Sequence, residues 1–137
     1  MAGPHVLIVD DACVDRLVAS RVLESCNIRG ISDSQYMFCC CYFVVTVVEG
    51  AMQAMRFLAK EQDVQLILTD YSMPDMTGYD LLVEVKNSPR LNHIPVVITC
   101  TDYVDETVQM CLDGGAADFI TKPIVVADVP CILSYIV

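Results

Sequence analysis

Leu66-Ile67-Leu68-Thr69-Asp70 is a short run of strand-forming residues that ends in an acid, and the rest of the chain is read from it. Apolar side chains at consecutive rather than alternate positions suit a strand covered on both faces, as inside a parallel sheet. Working outward, Val6-Leu7-Ile8-Val9 is a second such run, ended by Asp10-Asp11. Val96-Val97-Ile98-Thr99 is ended by Cys100-Thr101, Phe119-Ile120-Thr121 by Lys122, and Thr46-Val47-Val48 is the fifth. Amphipathic stretches separate them: Val14 to Cys26, Ala51 to Lys60, Tyr79 to Lys86 and Val104 to Leu112. In the first, Val14, Val18 and Val22 recur at helical spacing, which assigns Asp15, Arg16 and Arg21 to other faces. Met52, Met55, Phe57 and Leu58 read as the buried face of the second. Asp113-Gly114-Gly115 stops the fourth, with glycine free to take positive φ. A short last helix is expected after Asp128 as its cap, with Pro130 in the first turn. Strands alternating with helices give an α/β fold, a doubly wound five-stranded parallel sheet flanked by helices.

The 137 residues suit one domain, 1–137. With 8 Lys+Arg against 18 Asp+Glu the chain carries −10, which argues against a binder of phosphate backbones and hence of nucleic acid. Neither a secretory leader nor a membrane span is visible, so the eight cysteines read as reduced thiols of an intracellular protein. His5 and His93 flank strands as lone residues, with surface loops as their expected home.

In doubly wound sheets, ligands bind beyond the carboxyl ends of the strands. The residues just past the runs are Asp10-Asp11, Asp70, Cys100-Thr101 and Lys122, one of three lysines. Clustered carboxylates repel one another unless a cation sits among them, and hard oxygen ligands with room for water suit Mg²⁺. A neighbouring lysine would anchor a phosphoryl group. Taken singly, each residue has a plainer explanation: Asp11 could cap the first helix, and Lys122-Pro123 could be surface loop. Four strand ends bearing this complement together point to a site.

Three motifs resemble the receiver domain of two-component response regulators. They are Val9-Asp10-Asp11, Asp70-Tyr71-Ser72-Met73-Pro74 with Gly78 eight residues after the acid, and Thr121-Lys122-Pro123. The 52 residues from Asp70 to Lys122 fit the family pattern. Thr69 to Tyr79 and Val9 to Arg16 look like the plant type-A regulators of cytokinin signalling, which carry a receiver and little else; no output domain is read here either. The resemblance implies a flavodoxin-like receiver fold and a non-enzymatic phosphoacceptor of the cytoplasm and nucleus. Asp70 would take a phosphoryl group from a histidine-containing phosphotransfer protein. It further implies Mg²⁺ held by Asp11, Asp70 and the Ser72 carbonyl, with Asp10 acting through water, and Lys122 paired with the phosphoryl group. A haloacid-dehalogenase-like phosphatase would need an acid two residues after its nucleophile, where Ser72 stands.

Two departures matter. The family's phosphoryl-sensing Ser or Thr falls on Cys100, a weak donor, with Thr101 beside it, while Phe119 stands at the aromatic switch position. The stretch from Asp10 to Asp70 is also longer than the family's. The surplus matches Gly30 to Val44, an insert between the first helix and the second strand that reads as translated non-coding sequence. Its Cys39-Cys40-Cys41 triplet lacks the gaps of a zinc site. These departures leave a second reading open, a pseudo-receiver or defective splice form that serves as a protein-interaction scaffold without phosphorylation.

Overall fold

Each of the five runs forms a strand in a computed structural model that describes residues 5–28, 44–60 and 63–136. The order is β1 (His5–Val9), α1 (Cys13–Ile28), β2 (Val44–Val48), α2 (Ala51–Lys60), β3 (Val64–Asp70), α3 (Gly78–Asn87), β4 (Val96–Cys100), α4 (Asp105–Asp113) and β5 (Asp118–Thr121). A 3₁₀ turn (Val126–Asp128) and α5 (Val129–Ser134) follow. All strand pairs are parallel, in the spatial order β2-β1-β3-β4-β5. The chain winds outward in both directions from β1, so its crevice lies above the carboxyl ends of β1 and β3.

Alternate strand residues feed two cores. Leu7, Val9, Ile67, Val96 and Ile98 pack with Leu58 of α2, Leu81 and Leu82 of α3, and Val108 of α4. Val6, Ile8, Leu66, Leu68 and Val97 face the other way, toward Ala19 and Leu23 of α1 and Ile132 of α5. Burial on both faces is the reason the strands lack hydrophobic alternation. Strand β2, at the sheet edge, is covered least, and Val44 and Val47 stay exposed.

Several expectations need correction. Val44, assigned to the insert, is the first residue of β2 and pairs with His5, because β1 offers a ladder partner one residue before its apolar run begins. The rest of the insert, Gly30 to Phe43, lies outside the described residues, as does the cysteine triplet. Helix α1 turns only part of the Val14-Val18-Val22 stripe inward: Val22 packs at the edge of the core but Val14 is 70% exposed, whereas Ala19 and Leu23 are buried. The inward register is Asp15, Ala19, Leu23, four residues apart. In α2 the fully buried residues are Ala51, Ala54 and Leu58, with Met55 and Phe57 packed against the core as expected, whereas Met52 faces solvent. His5 is part of β1, its ring bonded to Thr46 Oγ1 (2.8 Å) and edge-on to Phe57, whereas His93 is exposed as expected. Asp128 occupies the N-cap position of α5 as expected but makes no side-chain capping bond; its carboxylate accepts the Val125 N–H at 2.8 Å and closes the 3₁₀ turn. The short α5 is tied down through Tyr135, whose hydroxyl donates to Asp118 at 2.8 Å.

Ile98 lies fully buried in β4, whereas Val47 on the edge strand is 44% exposed. Ile98→Ala should therefore cost about 2–5 kcal/mol, and Val47→Ala less than about 1 kcal/mol. Urea-denaturation midpoints at unchanged slope check the contrast.

Candidate functional site

Parallel pairing brings the strands' carboxyl ends to one edge, and the sheet's hydrogen bonds run one residue beyond the strands there. Asp10 N–H donates to the Val48 carbonyl (3.1 Å), Tyr71 N–H to Thr99 (2.8 Å) and Lys122 N–H to Cys100 (2.9 Å). The backbones bearing the site are thus held by neighbouring strands rather than left on free loops.

Lys122 Nζ lies 2.7 Å from Asp10 Oδ2, 3.1 Å from Asp70 Oδ1 and 3.0 Å from Asp15 Oδ2. Asp10 is fixed further: its Oδ1 accepts the Ala12 N–H (2.9 Å), and its carbonyl accepts Arg16 Nη1 (2.8 Å). Carboxylate oxygens of Asp10, Asp11 and Asp70 all lie within 4.8 Å of one another, Asp11 being exposed and the other two buried. Four carboxylates against the Lys122 ammonium and the Arg16 guanidinium leave the pocket at −2 (2 − 4).

The titration behaviour follows. Burial pushes the Asp70 carboxyl above its ordinary value and the charge of Asp10 adds to this, while the Lys122 hydrogen bond and the Ser72 N–H pull it back only in part. Burial works against the Lys122 ammonium, but its bonds to Asp10, Asp15 and Asp70 outweigh that and raise it. Three carboxylates of mutually close oxygens, in net negative surroundings, fit a hard divalent cation by donor type and by charge.

The structure brings together Asp10, Asp11, Asp70 and Lys122, with Ser72 beside Asp70. Cys100 is buried at the end of β4, and the adjacent Thr101 is exposed. The ring of Phe119 is buried and meets exposed Tyr103 edge-on, at a centroid distance of 6.0 Å. Two residues join the site unforeseen, Asp15 and Arg16. Asp15 would have been found from the Asp15-Ala19-Leu23 register, whose first member lies at the sheet's carboxyl edge.

Residues 36–132 match the family model described as the response regulator receiver domain. The chain belongs to that family. Two-component response regulator ORR12 of Oryza sativa subsp. japonica is 52% identical over 136 residues, covering 99% of this chain and all of the relative. The fold is shared with the Vibrio cholerae chemotaxis protein CheY4, at TM-score 0.79, 21% identity and 99% and 100% coverage of the two chains. It is also shared with the receiver domain of sensor histidine kinase PA1611 from Pseudomonas aeruginosa PAO1, whose structure has a magnesium ion coordinated in the active site cleft. That likeness has TM-score 0.76 and 24% identity, with 97% of this chain and 96% of that one covered.

In this receiver, Gly78 is part of the surroundings of Asp70. A Cβ there would come within 2.5 Å of the Asp70 carbonyl oxygen and 3.1 Å of Tyr71 Cα, and the Gly78 N–H donates to the Tyr71 carbonyl at 2.8 Å. Only a residue without a side chain fits between the end of β3 and the start of α3.

Gly78→Ala should destabilise the domain by about 1–3 kcal/mol through this clash, read as a lowered melting temperature. Asp70→Asn should do the opposite when no divalent cation is added. A carboxyl raised in the folded state adds stability that is complete below its ordinary value of 3.8 and lost as pH rises through the raised one. At neutral pH the asparagine variant should therefore melt higher than the unaltered chain, and the gap should close as the solution is brought to pH 4.

Proposed function

We propose that this receiver accepts a phosphoryl group on Asp70 from a phosphohistidine of a histidine-containing phosphotransfer protein. The observation that supports the reading is the placement of the Asp70 carboxylate 3.1 Å from the Lys122 ammonium, within one cluster with Asp10 and Asp11. In the reaction a carboxylate oxygen of Asp70 bonds to phosphorus as the P–N bond breaks. The departing imidazole keeps that electron pair and becomes neutral histidine by taking a proton from solvent. Lys122, already protonated, faces the oxygens on which charge accumulates. Asp11, Asp70 and the Ser72 carbonyl would hold Mg²⁺ directly, with Asp10 acting through water. Mg²⁺ would screen the repulsion between carboxylate and phosphoryl group. The magnesium in the cleft of the PA1611 receiver agrees with this choice of ion.

The chain then acts as an acceptor and switch rather than an enzyme. The likeness to type-A regulators supports a role as a negative regulator of cytokinin signalling in cytoplasm and nucleus, drawing phosphoryl groups away from other acceptors. Among the described residues no helix is long and apolar enough to cross a membrane. A specific observation favours the second reading, a scaffold that is not phosphorylated: the switch position carries the buried thiol of Cys100, between the buried Thr99 and the exposed Thr101.

Intact-mass measurement after incubation with acetyl phosphate separates the two readings. The acceptor reading expects one added phosphoryl group with Mg²⁺, little without it, and none in Asp70→Asn. No addition to the unaltered chain would establish the scaffold instead.

A further inference from the structure

Lys122 has three N–H donors and three carboxylate neighbours within 3.1 Å, the Asp15 contact being a full hydrogen bond, so every donor faces an acid before any phosphoryl group arrives. An incoming phosphoryl oxygen can be bound only if one of the three bonds is given up. The three are unequal. The Asp10 side chain is only 6% exposed, its second oxygen is engaged by Ala12, and its backbone is pinned by Arg16. Breaking its bond would strand a buried carboxylate. Asp70 is the reacting residue, and its side chain is 8% exposed. Asp15, on the first turn of α1, has a side chain 37% exposed, so water can replace the lysine there at little cost. A second observation points the same way. A cavity of about 20 Å³, lined in part by Asp10, Asp15, Thr99, Lys122 and Pro123, adjoins this pair and has room for one water.

We propose that Asp15 is the releasable partner of Lys122. It holds the third ammonium proton while Asp70 is unmodified and yields Lys122 to a phosphoryl oxygen afterwards, setting how readily the site loads. The inference rests on Asp70 being the phosphoacceptor, and it makes Asp15 a positioning residue that acts through Lys122. With acetyl phosphate as donor, the Asp70 oxygen bonds to phosphorus while acetate leaves with the electron pair of the broken P–O bond. Lys122 keeps its protons throughout and only exchanges acceptors.

The test is a titration with acetyl phosphate in saturating Mg²⁺, with the phosphorylated fraction read by intact mass. Three proteins are compared: the unaltered chain, Asp15→Asn and Glu49→Gln. Glu49 is an exposed acid beside Arg16 at the same rim, and its carboxylate makes no contact with Lys122. Asp15→Asn should reach half-phosphorylation at about two- to fivefold less donor, the size of a partly exposed ion pair, and Glu49→Gln should match the unaltered chain. Should Asp15→Asn fail to melt cooperatively, Asp15→Ser makes the same comparison with a smaller polar group. An unchanged or raised donor requirement at position 15 would overturn the inference, as would equal shifts in both variants, which would reduce Asp15 to bulk repulsion. In either case the acceptor reading would stand. No uptake by the unaltered chain would end both.

Discussion

The ammonium of Lys122 lies among carboxylates drawn from the end of β1, the first turn of α1 and the end of β3, and the geometry of the domain serves that meeting. Buried acids of like charge repel, and one cation among them is what allows Asp10 and Asp70 to be enclosed together. The reach of the lysine depends on β5 running parallel to β4, with Lys122 N–H bonded to the Cys100 carbonyl. The cation is also insufficient: Asp70 holds its proton more tightly than an ordinary aspartate despite its neighbour. A site left short of positive charge suits a divalent cation by charge and by donor type.

Much of this was legible in residue order because the two signals involved are local. A strand buried on both faces must be apolar throughout, so Val6–Val9, Leu66–Thr69 and Val96–Thr99 announce themselves. In a parallel sheet the residue after each such run lands at the common edge, which is why Asp10, Asp70 and Lys122 could be grouped before any coordinates. The face of α1 was not legible in the same way. Val14, Val18 and Val22 form a convincing apolar stripe, yet Val14 is exposed and the neighbouring register points inward, because Arg16 reaches the Asp10 carbonyl and fixes the rotation of the helix. A contact between residues six apart, one of them main chain, leaves no trace in a hydrophobic pattern. The valine stripe masks the Asp15-Ala19-Leu23 register, which is the one signal that leads to Asp15. Asp128 illustrates the other failure: capping residues also close turns, and only the backbone conformation decides which.

Val44 and Val47 mark β2, at the edge of the sheet, as the least covered strand. Cys100 keeps the small volume that the end of β4 requires, and its carbonyl still supports Lys122. The polarity of its side chain changes while the backbone that positions the lysine is retained.

The contact at Gly78 joins two parts of the molecule more tightly than their separation in the chain suggests. Because the first turn of α3 rests directly on the peptide that follows Asp70, there is no slack between them to absorb a displacement. A shift of the main chain at Asp70 must be passed to α3 as a push on its leading end, and the far end of that helix is held by Lys86 to the carbonyls of Asn92 and Ile94. The helix is a strut between Asp70 and the loop before β4, and its close seat at the Asp70 end depends on an atom that is missing.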